Sequence, residues 1–182
     1  DPAKRRINIL KEAAKNFVEK WKGKDCKICV VPFSTTVKKT SELFDMKESG
    51  SLAKLNSYIT NLTTEGYTNI GDGMRVAYHT LLNSGASYAS KYIITLTDGN
   101  PNTSSINNDG TYFVEAGIAK KTQYDTNKAM EYCTTYIGDK IFSNTKFKSF
   151  VIGFATAKSM ETNLDNIGIK SGAAELDNGK HF

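Results

Sequence analysis

The stretch Lys91–Asn102, KYIITLTDGNPN, decides the fold. Tyr92, Ile93, Ile94 and Leu96 form a short apolar run that ends at Thr97 and Asp98, and Gly99-Asn100-Pro101-Asn102 can only be a loop. A run with no polar side is how an interior parallel strand reads, buried on both faces. In an open α/β sheet, ligands bind beyond the carboxyl ends of the strands, and Asp98 stands at such an end. Taken alone, Asp98-Gly99 is equally an ordinary turn pair.

Working outward, Ile70, Met74, Ala77 and Leu81 recur at helical spacing and predict a helix over Ile70–Leu82. A polar loop, Thr63–Asn69, leads into it, and Leu52–Leu62 reads as another helix. Ile28–Phe33 is β-rich, with Pro32 suited to an end, edge or bulge, and Thr36–Phe44 is expected to pair antiparallel to it. The chain opens with a helix. Asp1-Pro2 supplies a cap and first turn, Ile7, Leu10, Ala14, Phe17, Val18 and Trp21 an apolar face, and Gly23 a stop near Lys22.

Beyond the central stretch, Thr103–Lys121 is polar and reads as a long surface loop, with a turn at Asn107–Gly110 and a helical turn around Val114–Ala119. Thr126–Ile137 is a helix, Phe147–Phe154 a buried strand and Glu161–Ser171 a helix ended by Gly172. Lys180-His181-Phe182 begins a further strand. Strands and helices in this order give an α/β fold: a doubly wound, mainly parallel sheet with helices on both faces.

The composition excludes several functions. The net charge of +5 comes from scattered lysines with no basic block among aromatics, so nucleic acid is not a partner. No apolar run approaches the ~20 residues that span a bilayer, and no signal peptide is visible. The chain lacks the glycine loops that cradle nucleotides and any supported Ser/His/Asp set, so it reads as no enzyme. Cys26-x-x-Cys29 has no second pair, and with only two histidines zinc is a poor fit. The thiols read as small buried side chains. In an oxidising compartment a bridge from Cys133 to Cys26 or Cys29 stays open, leaving one thiol over.

Gly66-Tyr67-Thr68-Asn69-Ile70-Gly71-Asp72-Gly73-Met74, Thr97-Asp98-Gly99, Phe33-Ser34 and Val151-Ile152-Gly153-Phe154 occur in an order that resembles the von Willebrand factor A (VWA) domain family. The resemblance covers essentially the whole chain. It implies a metal-ion-dependent adhesion site holding Mg²⁺ (or Mn²⁺ or Ca²⁺), with Thr68 and Asp98 as ligands by position. Hydroxyl and carboxylate oxygens are the hard donors such ions take. An open coordination position would accept a carboxylate from a partner protein. Gly71 and Gly73 would let the backbone pass close to the ion. Asp72 reads as a solvated or capping carboxylate at the helix start, His79 as a helix-face residue, and Thr68 has a rival role as the helix cap.

The family's third contributor, an Asp-x-Ser-x-Ser segment before the first helix, does not occur here; Asp45-Met46-Lys47-Glu48-Ser49 comes nearest and lacks the first Ser. The expectation is one VWA domain over residues 1–182, with its first, central strand and serine loop before Asp1 and its last strand unfinished. Without that strand, internal sheet edges would be left unpaired. Val31-Pro32-Phe33-Ser34-Thr35 together with Cys133 resembles the VWA proteins of bacterial tight-adherence (Flp-type) pilus assembly, and pilus-tip adhesins are the nearest rival. The implied role is a protein-binding adhesion module of the bacterial envelope, periplasmic or at the cell surface. Its partners would be an acidic protein ligand or other pilus components, with room for a membrane anchor outside these residues. The alternative is a structural VWA scaffold without a working metal site.

Overall fold

A computed structural model describes residues 2–63, 65–85, 90–154 and 157–182. The chain forms two compact units, residues 1–32 with 38–65, and residues 33–37 with 66–182.

The first unit contains α1 (Pro2–Glu19), β1 (Lys27–Ile28), β2 (Phe44–Asp45) and α2 (Ser51–Thr60). Val18, Met46, Leu55 and Ile59 are its buried centre, with Ala14, Cys26, Ile28 and Phe44 packed around them. After α1 the backbone turns at Gly23, whose φ of 71° is open to glycine at no steric cost, and the Gly23 N–H donates to Met46 O at 2.8 Å. The expected Asp1 cap lies outside the described residues. Phe17 and Trp21 do not join the core: they are 40% and 41% exposed and lean on each other with ring centroids 6.0 Å apart.

The hairpin is antiparallel, as expected, but its ladder is short, pairing Lys27 with Asp45 and Ile28 with Phe44. Further on, Ser41 does the pairing. Its hydroxyl accepts from the Val30 N–H at 2.8 Å, and its own N–H donates to Val30 O at 2.9 Å. Pro32 has no N–H to continue the ladder.

The second unit runs α3 (Ile70–Leu82), β3 (Lys91–Thr97), β4 (Thr103–Ile106), β5 (Lys121–Tyr124) and α4 (Thr126–Glu131). A π-helical stretch Tyr132–Gly138 continues α4 into α5 (Asp139–Phe142), followed by β6 (Phe147–Gly153) and α6 (Lys158–Lys170). β3 and β6 are parallel neighbours from Lys91↔Phe147 to Thr97↔Gly153. Ile93, Phe147 and Val151 on one face of this pair pack with Ile70, Met74 and Tyr78 of α3, Tyr132, Cys133 and Ile137 of the π-helical stretch, and Leu164 and Ile167 of α6. At the start of β3 the buried Lys91 ammonium donates to Leu81 O at 2.6 Å and to Ser84 Oγ at 3.1 Å, placing a cation at the carbonyl end of α3.

Three expectations are corrected here. β3 is not buried on both faces: Tyr92, Ile94, Phe150 and Ile152 remain 37–50% exposed on the second face of the pair. The apolar run gave no alternation to read, yet the burial alternates. Thr103–Lys121 is not all loop and has no helical turn, because Thr103–Ile106 pairs antiparallel with Lys121–Tyr124. Thr103, Ser104 and Ser105 are buried although polar, which hid the strand from an apolar count. Finally, Lys180–Phe182 is not a strand. The His181 N–H donates to Asp165 Oδ1 at 2.6 Å, so a side chain of α6 takes the bond that a ladder would have taken.

Between these strands the backbone of residues 113–117 is held by side chains. Tyr132 Oη donates to Phe113 O, Arg75 to Glu115 O and Gly117 O, and Lys140 Nζ to Val114 O, with His79 Nε2 2.9 Å from Val114 O. His79 is therefore more than a helix-face residue.

Cys26, Cys29 and Cys133 are free thiols, the first two half-buried and the third buried. Burial pushes the Cys133 thiol up to about 12, so almost none of it is thiolate near neutral pH. Native protein treated with iodoacetamide at about pH 8 is expected to leave Cys133 unmodified. Peptide mapping checks this, and addition of denaturant should open the site to alkylation.

Candidate metal centre

Two sequence segments meet at the amino end of α3. Residues 33–37 and 66–69 are stitched by Asn69 N–H to Ser34 O at 2.8 Å, Tyr67 N–H to Thr35 Oγ1 at 3.0 Å, and Asn69 Nδ2 to Thr35 O at 3.0 Å. Gly66 is needed here. Its φ is 66°, and a Cβ would stand 2.3 Å from Thr35 Oγ1.

The cap of α3 is Asn69, whose side-chain oxygen accepts the Asp72 N–H at 3.1 Å. Thr68 is thereby relieved of the capping role that competed with ligation. Its backbone is pinned from the other side: the Thr68 N–H donates to Asn102 Oδ1 at 2.8 Å, while Thr68 O accepts from the N–H groups of Asn102 and Thr103 at 2.9 and 3.3 Å. Asn102 belongs to the loop after β3, so one residue ties the threonine loop to the aspartate loop.

The aspartate loop has its own frame. Thr97 Oγ1 accepts the Gly99 N–H at 3.3 Å and donates to Gly99 O at 3.1 Å, shaping the turn that carries the half-buried Asp98. Asn163 Nδ2 of α6 donates to Asn100 Oδ1 at 3.1 Å. Thr68 Oγ1 lies 3.9 Å from where a Cβ on Gly99 would be. The hydroxyl of Thr68 thus lies on the side of the Gly99 Cα, next to the turn that carries Asp98. A threonine hydroxyl beside a turn that carries an aspartate offers the donor types that a hard divalent cation takes. Among the described residues no three His, Cys, Asp or Glu side chains cluster to hold a metal.

Three expectations about this motif change. Asp72 is neither solvated nor a ligand: it is wholly buried, its Oδ1 accepts from Arg75 Nη2 at 2.6 Å and Nε at 3.0 Å, and its Oδ2 accepts the Val37 N–H at 2.7 Å. Gly71 and Gly73 serve packing. A Cβ on Gly71 would meet the Tyr132 ring at 2.5 Å, and one on Gly73 the Phe33 ring at 2.6 Å. The missed residue is Arg75, also buried, which lies 4.7 Å from the centre of the Phe113 ring. The sequence signal for the pair was the acid-to-base spacing of three on one helix face.

The family model of the von Willebrand factor type A domain matches residues 3–177. Among curated proteins none matches. The PilB minor pilin of Streptococcus sanguinis resembles the chain in structure with a TM-score of 0.72 at 21% identity, over 92% of this chain and 48% of that one. A mutant of the same pilin gives 0.74 at 20% identity over the same shares. The pilus adhesin SpaC of Lactobacillus rhamnosus GG, in an open conformation, gives 0.66 at 18% identity over 92% of this chain and 25% of that one. The chain thus spans about half of the pilin and a quarter of the adhesin.

Removing Asp72 would leave the Arg75 guanidinium buried without its counter-ion and the Val37 N–H without an acceptor. Asp72→Ala is expected to lower stability by about 3–5 kcal/mol, read as a shift in the urea midpoint.

Proposed function

From a chain that belongs to the von Willebrand factor type A domain family, we propose a non-enzymatic interaction module that binds a protein partner through a divalent metal ion. Thr68 and Asp98 hold the ion, Mg²⁺ in the first place and Mn²⁺ or Ca²⁺ as alternatives. One observation carries the proposal: Thr68, free of the helix cap, is tied by its backbone to Asn102 of the aspartate loop, and its hydroxyl lies 3.9 Å from where a Cβ on Gly99, the residue after Asp98, would stand. When bound, the ion would supply a Lewis-acidic position suited to a carboxylate of the partner. Remaining oxygens come from water and, in the pattern of the family, from an Asp-x-Ser-x-Ser segment that residues 1–182 do not contain.

The protein side of the mechanism is positional. Asn69 caps α3 and so frees Thr68, Asn102 fixes the Thr68 backbone, and Thr97 holds the turn at Asp98. A site whose donors are set before the ion arrives loses less entropy on binding. Likeness to a minor pilin and a pilus adhesin supports a place on the bacterial surface, as part of a pilus or of a surface adhesin. Among the described residues no helix is long and apolar enough to cross a membrane.

The test is thermal unfolding of the full-length protein with Mg²⁺ and with EDTA. Mg²⁺ at about a hundred times its Kd is expected to stabilise the protein by about 2.7 kcal/mol, and Asp98→Ala or Thr68→Ala should remove the gain. Melting that is the same in Mg²⁺ and EDTA overturns the metal reading and leaves a structural scaffold.

A further inference from the structure

Next to the candidate metal centre lies a surface feature that ligation does not use. Tyr67 immediately precedes Thr68, and its ring packs against that of Tyr124 with centroids 4.7 Å apart and planes at 51°. Both rings are open to solvent, at 53% and 63% exposure. Their backbones are fixed by the same groups that fix the centre. The Tyr67 N–H donates to Thr35 Oγ1, Tyr124 pairs with Thr103 in the β4–β5 ladder, and the Asp125 N–H donates to Asn102 O at 3.0 Å. Isolated exposed aromatic residues need no explanation, but two rings in mutual contact on a rigid frame beside a ligand site form an anchor of the kind that interfaces use.

We propose that Tyr67 and Tyr124 are the second contact point of the metal-bound partner. That partner is an acidic polypeptide segment whose carboxylate fills the metal position and whose neighbouring aromatic or proline side chain lies on the tyrosine pair. This rests on the metal-centre reading and adds the partner's chemistry to it. Adjacent residues put their Cα atoms about 3.8 Å apart, so Tyr67 and Thr68 can be engaged by groups one or two residues apart on one strand of ligand.

The polar surroundings favour a peptide over a sugar. The Asn102 side-chain oxygen is engaged by the Thr68 N–H and the Thr103 hydroxyl, Asp125 Oδ1 by the Lys128 N–H, and Thr35 Oγ1 by the Tyr67 N–H. A sugar would need such acceptors for its hydroxyls, whereas a flat apolar side chain needs only ring faces and edges, and the tilt of the two rings offers both.

The probes are two peptides, acetyl-Asp-Gly-Trp-amide and acetyl-Asp-Gly-Ala-amide, titrated into the full-length protein in Mg²⁺ and followed by NMR shifts, with EDTA as control. The tryptophan peptide is expected to bind about fivefold more tightly than the alanine peptide, and EDTA should abolish both. Tyr67→Ala with Tyr124→Ala should erase the preference and leave alanine-peptide binding unchanged. Tyr67→Phe with Tyr124→Phe should keep the preference, which separates loss of the rings from loss of the fold. Equal, metal-dependent binding of both peptides overturns the inference and spares the metal centre. A preference that persists in EDTA, or a methyl galactoside that displaces the tryptophan peptide, overturns it as well. Absence of any Mg²⁺-dependent binding removes the metal reading and this inference with it.

Discussion

A carboxylate and a guanidinium, both shut away from water, hold the second unit to a single arrangement. Asp72 and Arg75 are at most 1% exposed, and neither could be buried alone without a large desolvation cost. Each is surrounded by partners. The carboxylate takes the Val37 N–H as well as the guanidinium, and the remaining donors of Arg75 reach Glu115 O at 2.5 Å and Gly117 O at 3.0 Å while its plane faces Phe113. A lysine could not replace it, since only the planar fork reaches a carboxylate and two carbonyls at once. The pair therefore fixes two pieces of irregular backbone relative to α3: residues 33–37 through Val37, and residues 113–117.

The threonine loop depends on this frame. Asn69 donates to Thr35 O and to Ser105 Oγ at 3.1 Å while capping Asp72, so the entry to α3, the preceding loop and β4 share one amide. Thr68 is the next residue out, and it inherits a backbone already set on both sides. That arrangement suits a ligand of a hard cation, whose donors have to be in position without rearrangement.

Much of the fold was legible in residue pattern. The helix over Ile70–Leu82 has the bounds its apolar spacing predicts, and β3 and β6 stand where the apolar runs place them, paired in parallel. The loops that carry Thr68 and Asp98 meet through Asn102. What stayed hidden has physical causes. β4 is built from Thr103-Ser104-Ser105, whose burial rests on hydrogen bonding and close packing and not on hydrophobicity. The helix over 126–142 widens into a π-helical stretch at Tyr132–Gly138, and no simple periodicity announces that change. Gly71 and Gly73 looked like room for an ion and are room for Tyr132 and Phe33, partners far away in the chain. The tyrosine pair, too, joins residues that only the folded chain brings together.

The side-chain strap over residues 113–117 has a consequence for the order in which the unit is assembled. Its carbonyls are taken by Arg75 and His79 of α3, Tyr132 of the π-helical stretch and Lys140 of α5, and none of those captures can form until the helices have docked. Local helix formation precedes such long-range capture on kinetic grounds. The strap is therefore a late-folding piece and the first to lift away in partial opening, so its amides should exchange with solvent ahead of those in β3 and β6. Rigidity in this unit is laid down from the parallel pair outward, and the segment covering Arg75 closes last.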